Sequence, residues 1–308
     1  MAVVSTTEEA SSLSSAGPRR RPIREEIAAW LFLLPSVIPF LIFTLIPAVA
    51  TFALSFYRWD FIAAPRFVGL TNWINLFSGG PAGKSVVTTL ILGVITVPVS
   101  MAMGLALAIA LDRMPFAKLL FRSIFFMPIV TSLVAISFVF GNMFATETGL
   151  INYVIGLFGL PSVAWLTYST QAMISVSIMM IWSMTGLCML IYLAGLQQID
   201  HSLIEAAQLD GASRWQLFFH VVRPLLFRST VFLAITQTIH ALQTFEAVFV
   251  LTDGGPGDAT TTIGMYIYKA TFRRFEVGSG ATASMALFAL MLVVTIIQLR
   301  AQRRLDHD

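Results

Sequence analysis

The chain has 308 residues, of which 57% are apolar and only 11% charged, and its mean hydropathy is +0.82. A water-soluble domain carries about 25% charged and about 45–50% apolar residues, so this balance excludes an ordinary soluble enzyme and a basic nucleic-acid-binding domain. The net charge of +3 is too small to imply a polyanionic partner, and the single cysteine, Cys188, permits neither an internal disulfide nor a cysteine-based metal site.

Residues 1–26 are read as a disordered cytoplasmic tail, rich in Ser, Thr, Ala and Glu up to residue 18 and ending in the basic stretch Arg19 to Arg24. The first span that follows is too long for a signal-peptide core and is expected to stay uncleaved. Roughly 20 apolar residues cross a bilayer as a helix. Charge-free runs at 27–57, 85–111, 123–146 and 277–299 therefore predict spans, and a long one from Thr148 to Ile199 could hold two. Gly149, Gly156, Gly159 and Pro161 break its first part, so 149–161 is read as a short surface helix. The domain 27–300 then holds six transmembrane helices, at 29–56, 85–111, 120–143, 171–195, 229–252 and 279–300, with a cytoplasmic tail at 301–308. The predicted class is an all-α membrane protein. With the N-terminal tail, 112–122, 196–228 and the C-terminal tail on one side, that side holds 13 basic residues against six on the other. Lys and Arg favour the cytoplasm, so both termini are expected there.

Two motifs mislead. GGPAGKS at 79–85 nearly spells a phosphate-binding loop, but Ser78 stands where its first glycine belongs and no buried strand precedes it. Gly278-Ser-Gly280-Ala-Thr-Ala283 loosely matches a dinucleotide fingerprint, yet it begins the sixth span and reads as close helix packing. His201, His220, His240 and His307 show no paired ligand spacing, no catalytic constellation emerges, and no metal or cofactor is expected in the chain.

Between spans four and five, residues 196–226 turn polar while keeping helical periodicity. Ser202 and Glu205 fit a capping box, Ala206 and Ala207 leave a low surface, and Asp210-Gly211 suits a helix end. A second amphipathic helix carrying Trp215, Leu217, Phe218 and Val221 runs on to Pro224. In the fifth span, Thr236, Gln237, His240, Gln243 and Thr244 fall within an arc of about 120° at 100° per residue, with Glu246 about 60° beyond its edge. Lipid cannot satisfy so many polar groups, so this face is expected to look into the bundle or a watery cavity. After it, Gly254 to Gly257 form a turn, and Asp258 to Thr262 are expected to reach outward to a partner.

Glu205-Ala206-Ala207, then Asp210-Gly211-Ala212, with Phe218 and Pro224 following, resemble the EAA loop of binding-protein-dependent ABC importer permeases. Arg223 replaces the usual Leu before the proline, and Ser229 stands where a second proline is common. FVGLTNWINLF at 67–77 and LTDGGPGDATTTIGMYIYKATF at 251–272 resemble external segments of the carbohydrate-type members, of the maltose and glycerol-3-phosphate kinds. The resemblance implies a type I importer permease fold with a cytoplasmic EAA coupling helix, in the plasma membrane. It implies a second permease subunit, a different chain; two ATPase subunits holding ATP and magnesium; and an extracytoplasmic binding protein delivering a carbohydrate-like solute. ATPase coupling is expected at Glu205, Ala206, Ala207, Asp210 and Gly211. The substrate path is expected at Gln237, His240, Gln243, Thr244 and Glu246, with Ser183, Met184 and Leu187 on span four and Ile129 and Leu133 on span three. The competing class, an ion-gradient-driven secondary transporter, would show an inverted repeat and paired intramembrane charges. Neither is evident.

Overall fold

Charge-free stretches of sequence form long α-helices in the computed structural model, which describes residues 23–114 and 118–305. Residues 1–22 and 306–308, where the tail expectations fall, lie outside the described residues. In chain order, α1 spans 23–54, a ribbon pairs β1 (Tyr57–Arg58) with β2 (Arg66–Phe67), and α2 (Thr71–Phe77) precedes the long α3 (Pro81–Asp112). Next come α4 (Lys118–Val130), α5 (Leu133–Met143), the short α6 (Leu150–Leu157) and the long α7 (Ser169–Leu196). The polar segment folds as α8 (His201–Leu209) and α9 (Arg214–Leu225), followed by α10 (Phe227–Leu242), α11 (Glu246–Leu251), α12 (Ile263–Tyr268) and α13 (Val277–Leu305). Four helices (Trp30–Leu54, Pro81–Asp112, Ser169–Leu196 and Val277–Gln302) are long and apolar enough to cross a membrane. Two bent pairs, α4 with α5 and α9 with α10, raise the number to as many as six. The fold is a helical, multi-pass membrane protein.

Contacts divide the chain into one unit up to Ala50 and a second from Thr51. In the first, α1 carries Pro35 and Pro39 and continues through a π-turn, Leu41–Leu45. Such a turn is how a membrane helix re-satisfies backbone groups freed by proline. Its large side chains, including Trp30, Phe32 and Phe43, are exposed, as suits a lipid-facing surface.

In the second unit, α3 and α7 pack side by side and run in the same direction. Leu92 and Val97 share a core with Val176 and Met180, whereas Ala108 and Leu111 share one with Tyr192 and Leu193. Gly104 makes the approach possible, since a Cβ there would collide with Cys188. The α10 helix runs the other way: Leu233 joins the core at the Ala108 end, and Ala241 lies against Gly93 near Leu92. Gln298 of α13 reaches back to Ala234 and Thr238, so α13 returns antiparallel to α10. The starts of α3 and α13 therefore share one end of the bundle, and the segment 196–228 occupies the other.

Two span expectations need correction, while the two misleading motifs fold as helix starts. The third span is not one helix: α4 and α5 meet at 101° around Thr131 and Ser132, one turn after Pro128, which offers no backbone N–H. The fifth span begins at Phe227 and breaks at Gln243–Phe245, so 229–252 is not one continuous helical face. GGPAGKS is a helix start, with Gly80 as N-cap and Pro81 in the first turn of α3. The fingerprint-like glycines pack closely against neighbouring backbone and side chains. A Cβ at Gly278 would meet the Tyr57 carbonyl, and one at Gly280 the Thr271 hydroxyl.

Candidate coupling surface and solute path

At the 196–228 end, Asp200 rather than Ser202 caps α8. Its carboxylate accepts the Ser202 N–H at 2.9 Å, and this backbone bond holds the Asp200 carboxyl below the ordinary carboxylate range. The expected Ser202–Glu205 box is therefore corrected: the helix begins two residues earlier, and an aspartate competes as well as serine for the N-cap position. A capping box does form, but on α9, where Ser213 accepts the Gln216 N–H at 3.3 Å and Gln216 accepts the Ser213 N–H at 2.8 Å. Gly211 ends α8 at φ +81°, and the Ala212 N–H reaches back to the Ala207 carbonyl at 3.0 Å. That closure is the left-handed helix end for which glycine is preferred.

The two helices enclose an open concavity of about 380 Å³, floored by Ala207, Gly211 and Ala212 and walled by Asp210, Leu217 and His220. Around it Leu209 and Trp215 are 89% and 74% exposed, and Trp215 stacks on Phe219 of its own helix, at 6.0 Å. Glu205 and Ala206 are exposed as well. Large exposed apolar side chains of this kind mark an interaction surface, for a protein or for the membrane.

Midway along the bundle the polar positions separate into two groups. Gln237 is 1% exposed, and its Nε2 donates to the Met184 carbonyl at 3.1 Å and the Cys188 sulfur at 2.9 Å. Thr244 is buried, with its hydroxyl 3.4 Å from the His240 carbonyl and 3.7 Å from the Met180 sulfur. His240, Gln243 and Glu246 are exposed, and Gln243 donates only to the Met291 sulfur at 3.5 Å. Glu246 opens α11 and forms no ion pair among the described residues. On α7, Ser183 bonds to its own helix at the Met180 carbonyl (2.9 Å), Met184 is buried and Leu187 half-buried. Ile129 and Leu133 flank the α4–α5 break, and Ile129 faces Gly186, whose lack of a Cβ admits the Phe125 carbonyl.

The break at Gln243–Phe245 was not foreseen. It is held from outside the helix: the Thr262 hydroxyl donates to the Thr244 carbonyl at 2.7 Å. Phe245 then stacks on Phe249 at 5.3 Å and meets Tyr268 at 5.4 Å, building an aromatic wall beside Glu246. The 253–262 loop also departs from expectation. Thr260, Thr261 and Thr262 are buried, and only Asp253, Gly257 and Asp258 are exposed. Thr260 bonds Thr252 and the Gly255 carbonyl, each at 2.7 Å, so these hydroxyls face inward. Ion pairs fasten the loop to the turn after α12, Lys269 to Asp258 at 2.8 Å and Arg273 to Asp253 at 2.7 Å. The Lys269 bond lowers the Asp258 carboxyl below its ordinary range.

Among the described residues no three His, Cys, Asp or Glu side chains are grouped to hold a metal ion. A family model described as "Binding-protein-dependent transport system inner membrane component" matches residues 100–307. The lactose transport system permease protein LacF of Rhizobium radiobacter is 35% identical over 288 residues, covering 90% of this chain and 95% of that protein. The trehalose/maltose transport system permease protein MalF of Thermococcus litoralis is 31% identical, with 91% and 95% covered. The sulfoquinovosyl glycerol transport system permease protein SmoG of Agrobacterium fabrum is 32% identical, with 92% of each covered. A crystal structure of a bacterial alginate ABC transporter, in complex with its alginate pentasaccharide-bound periplasmic protein, superposes with a TM-score of 0.80 at 23% identity, covering 92% of this chain and 96% of that one.

Proposed function

The chain belongs to the family of binding-protein-dependent transport system inner membrane components, the membrane subunits of ATP-driven importers, and from that premise we propose that it forms half of a pore for a carbohydrate-like solute. The observation that carries the solute path is the interruption at Gln243–Phe245, beside which Gln243, Glu246 and His240 are exposed while Gln237 and Thr244 are buried. An ionised carboxylate at the centre of a helix in lipid costs about 2.5–3.5 kcal/mol. Glu246 stands exposed at the start of α11, and that cost supports reading it as facing water or solute rather than lipid. Hydrogen-bonding side chains beside the Phe245–Phe249 wall suit a sugar, which offers hydroxyls at its edge and C–H groups on its face. The sugar named in LacF, the sugars named in MalF and the glycoside named in SmoG support the same class.

In this reading Gln237, Thr244 and Met184 form the fixed wall, while Ser183, Leu187, Ile129 and Leu133 line the side contributed by spans three and four. The segment carrying Glu205, Ala206, Ala207, Asp210 and Gly211, beside the concavity, serves as the coupling helix and docks into a groove of an ATPase subunit. Rigid-body closure of two such ATPases, with ATP and magnesium bound in them, draws the cytoplasmic ends of the spans together and alternates access to the path. A second, different permease completes the pore in the plasma membrane, and a solute-binding protein delivers from outside. The excess of basic residues on the 196–228 side supports cytoplasmic termini.

Uptake of a carbohydrate panel by the reconstituted complex tests the path. Glu246→Gln and Gln243→Ala should lower uptake while leaving assembly and ATPase binding intact. Uptake at the wild-type rate with unchanged solute preference in both variants would remove this face from the path.

A further inference from the structure

A cavity of about 930 Å³ lies at the end of the bundle opposite the coupling segment. Arg58 and Arg66 both line it, and they are direct partners in the antiparallel ribbon, so their side chains leave the same face. Like charges set opposite one another across two strands destabilise the pair. No carboxylate relieves them among the described residues. The two acids in the lining are committed elsewhere. Glu276 pairs with Arg274 at 3.2 Å, and Asp60 accepts the Ile62 and Ala63 N–H groups at 3.1 and 2.8 Å within its own turn.

The depth of the cleft is set by Pro81 and Gly278, which line it at the first turns of the long apolar helices α3 and α13. That is the level at which a bilayer passes from hydrocarbon to headgroups. Trp59 and Phe275 line the same cleft, and Ile62 beside it is 92% exposed. Aromatic rings at helix ends belong to the membrane interface, and guanidinium groups match phosphate oxygens through paired, charge-assisted hydrogen bonds. We propose that this cleft binds a phosphate group between Arg58 and Arg66, carried by a phospholipid headgroup or supplied as inorganic phosphate. The bound anion relieves the repulsion between the two arginines and ties the ribbon to the start of α13, where the Val277 N–H already donates to the Trp59 carbonyl at 3.0 Å.

The assembled complex, purified and delipidated, is tested in two arms. One titrates inorganic phosphate in detergent. The other counts retained phosphatidylglycerol by native mass spectrometry after reconstitution into a phosphate-free galactolipid background. Each charged hydrogen-bonding partner contributes roughly a tenfold change in affinity, so R58Q/R66Q should weaken binding at least tenfold while R300Q leaves it unchanged. Binding lost only in the lipid arm assigns a headgroup, and binding lost only in the phosphate arm assigns the free ion. If R58Q/R66Q fails to assemble, R58K/R66K should weaken binding by about threefold, because lysine keeps the charge and loses the planar fork. Unchanged binding in both arms overturns the proposal. Unchanged binding accompanied by weaker association with the solute-binding protein also overturns it, and shows that the arginines face an acidic protein surface instead.

Discussion

Gly211 offers a clean separation of local conformation from packing. It sits at φ +81°, and a Cβ built there meets nothing within 4 Å. Substitution therefore creates no clash, and its whole cost is that of forcing an L-residue into the left-handed region, about 1–2 kcal/mol and greatest for β-branched side chains. The bundle should not feel this, because α8 contributes no buried side chain. What moves is the turn that fixes α8 against α9 and shapes the concavity beneath Ala207. Gly211→Val should leave complex assembly and melting temperature near wild type and lower ATPase stimulation by the loaded binding protein roughly tenfold, the equivalent of about 1.4 kcal/mol. Gly211→Asn, which tolerates the left-handed region, should retain most of the coupling. The assay is ATP hydrolysis in proteoliposomes with and without loaded binding protein. Equal coupling in Gly211→Val and wild type, or equal damage from Val and Asn, would refute the reasoning.

Gln237→Leu removes two interhelical hydrogen bonds at nearly constant volume, and at an average of about 0.6 kcal/mol per intramembrane bond it should cost about 1 kcal/mol in thermal stability. Gly278→Val should prevent stable assembly, because its side chain would collide with the Tyr57 carbonyl and lie against the Asn72 amide, whereas Gly156→Val, facing open space, should be neutral in the same melting assay. Asp258 has a depressed carboxyl, so its contribution to loop order is present above the unfolded carboxylate value of about 3.9 and is lost as pH falls through the folded one. Hydrogen exchange at 260–262 should therefore be protected at neutral pH and rise in acid, and Lys269→Met should abolish that pH step.

The four long membrane-length helices were legible because lipid tolerates so few charges that charge-free runs betray them. The end of α8 was legible because only glycine enters the left-handed region freely. The break at Gln243-Thr244-Phe245 was not, since none of these residues is a helix breaker. Contacts distant in sequence impose it: the Thr262 hydroxyl takes the Thr244 carbonyl, and Gly264 lets that backbone approach. Thr260 to Thr262 misled for the same reason, because a polar run signals water only when no buried carbonyl is available to receive its hydroxyls. The cap of α8 was a contest between two competent residues, Asp200 and Ser202, and sequence alone does not weigh such neighbours. The opposed pair Arg58 and Arg66, eight positions apart, becomes visible only once the ribbon register is known.

Solute uptake into proteoliposomes holding the purified permease–ATPase complex, with loaded binding protein outside and ionophores collapsing every ion gradient, tests the central claim most directly. The account predicts uptake that requires ATP at the ATPase sites and persists without gradients. Uptake by the permease chains alone, driven by a proton or sodium gradient and indifferent to ATP, would contradict it.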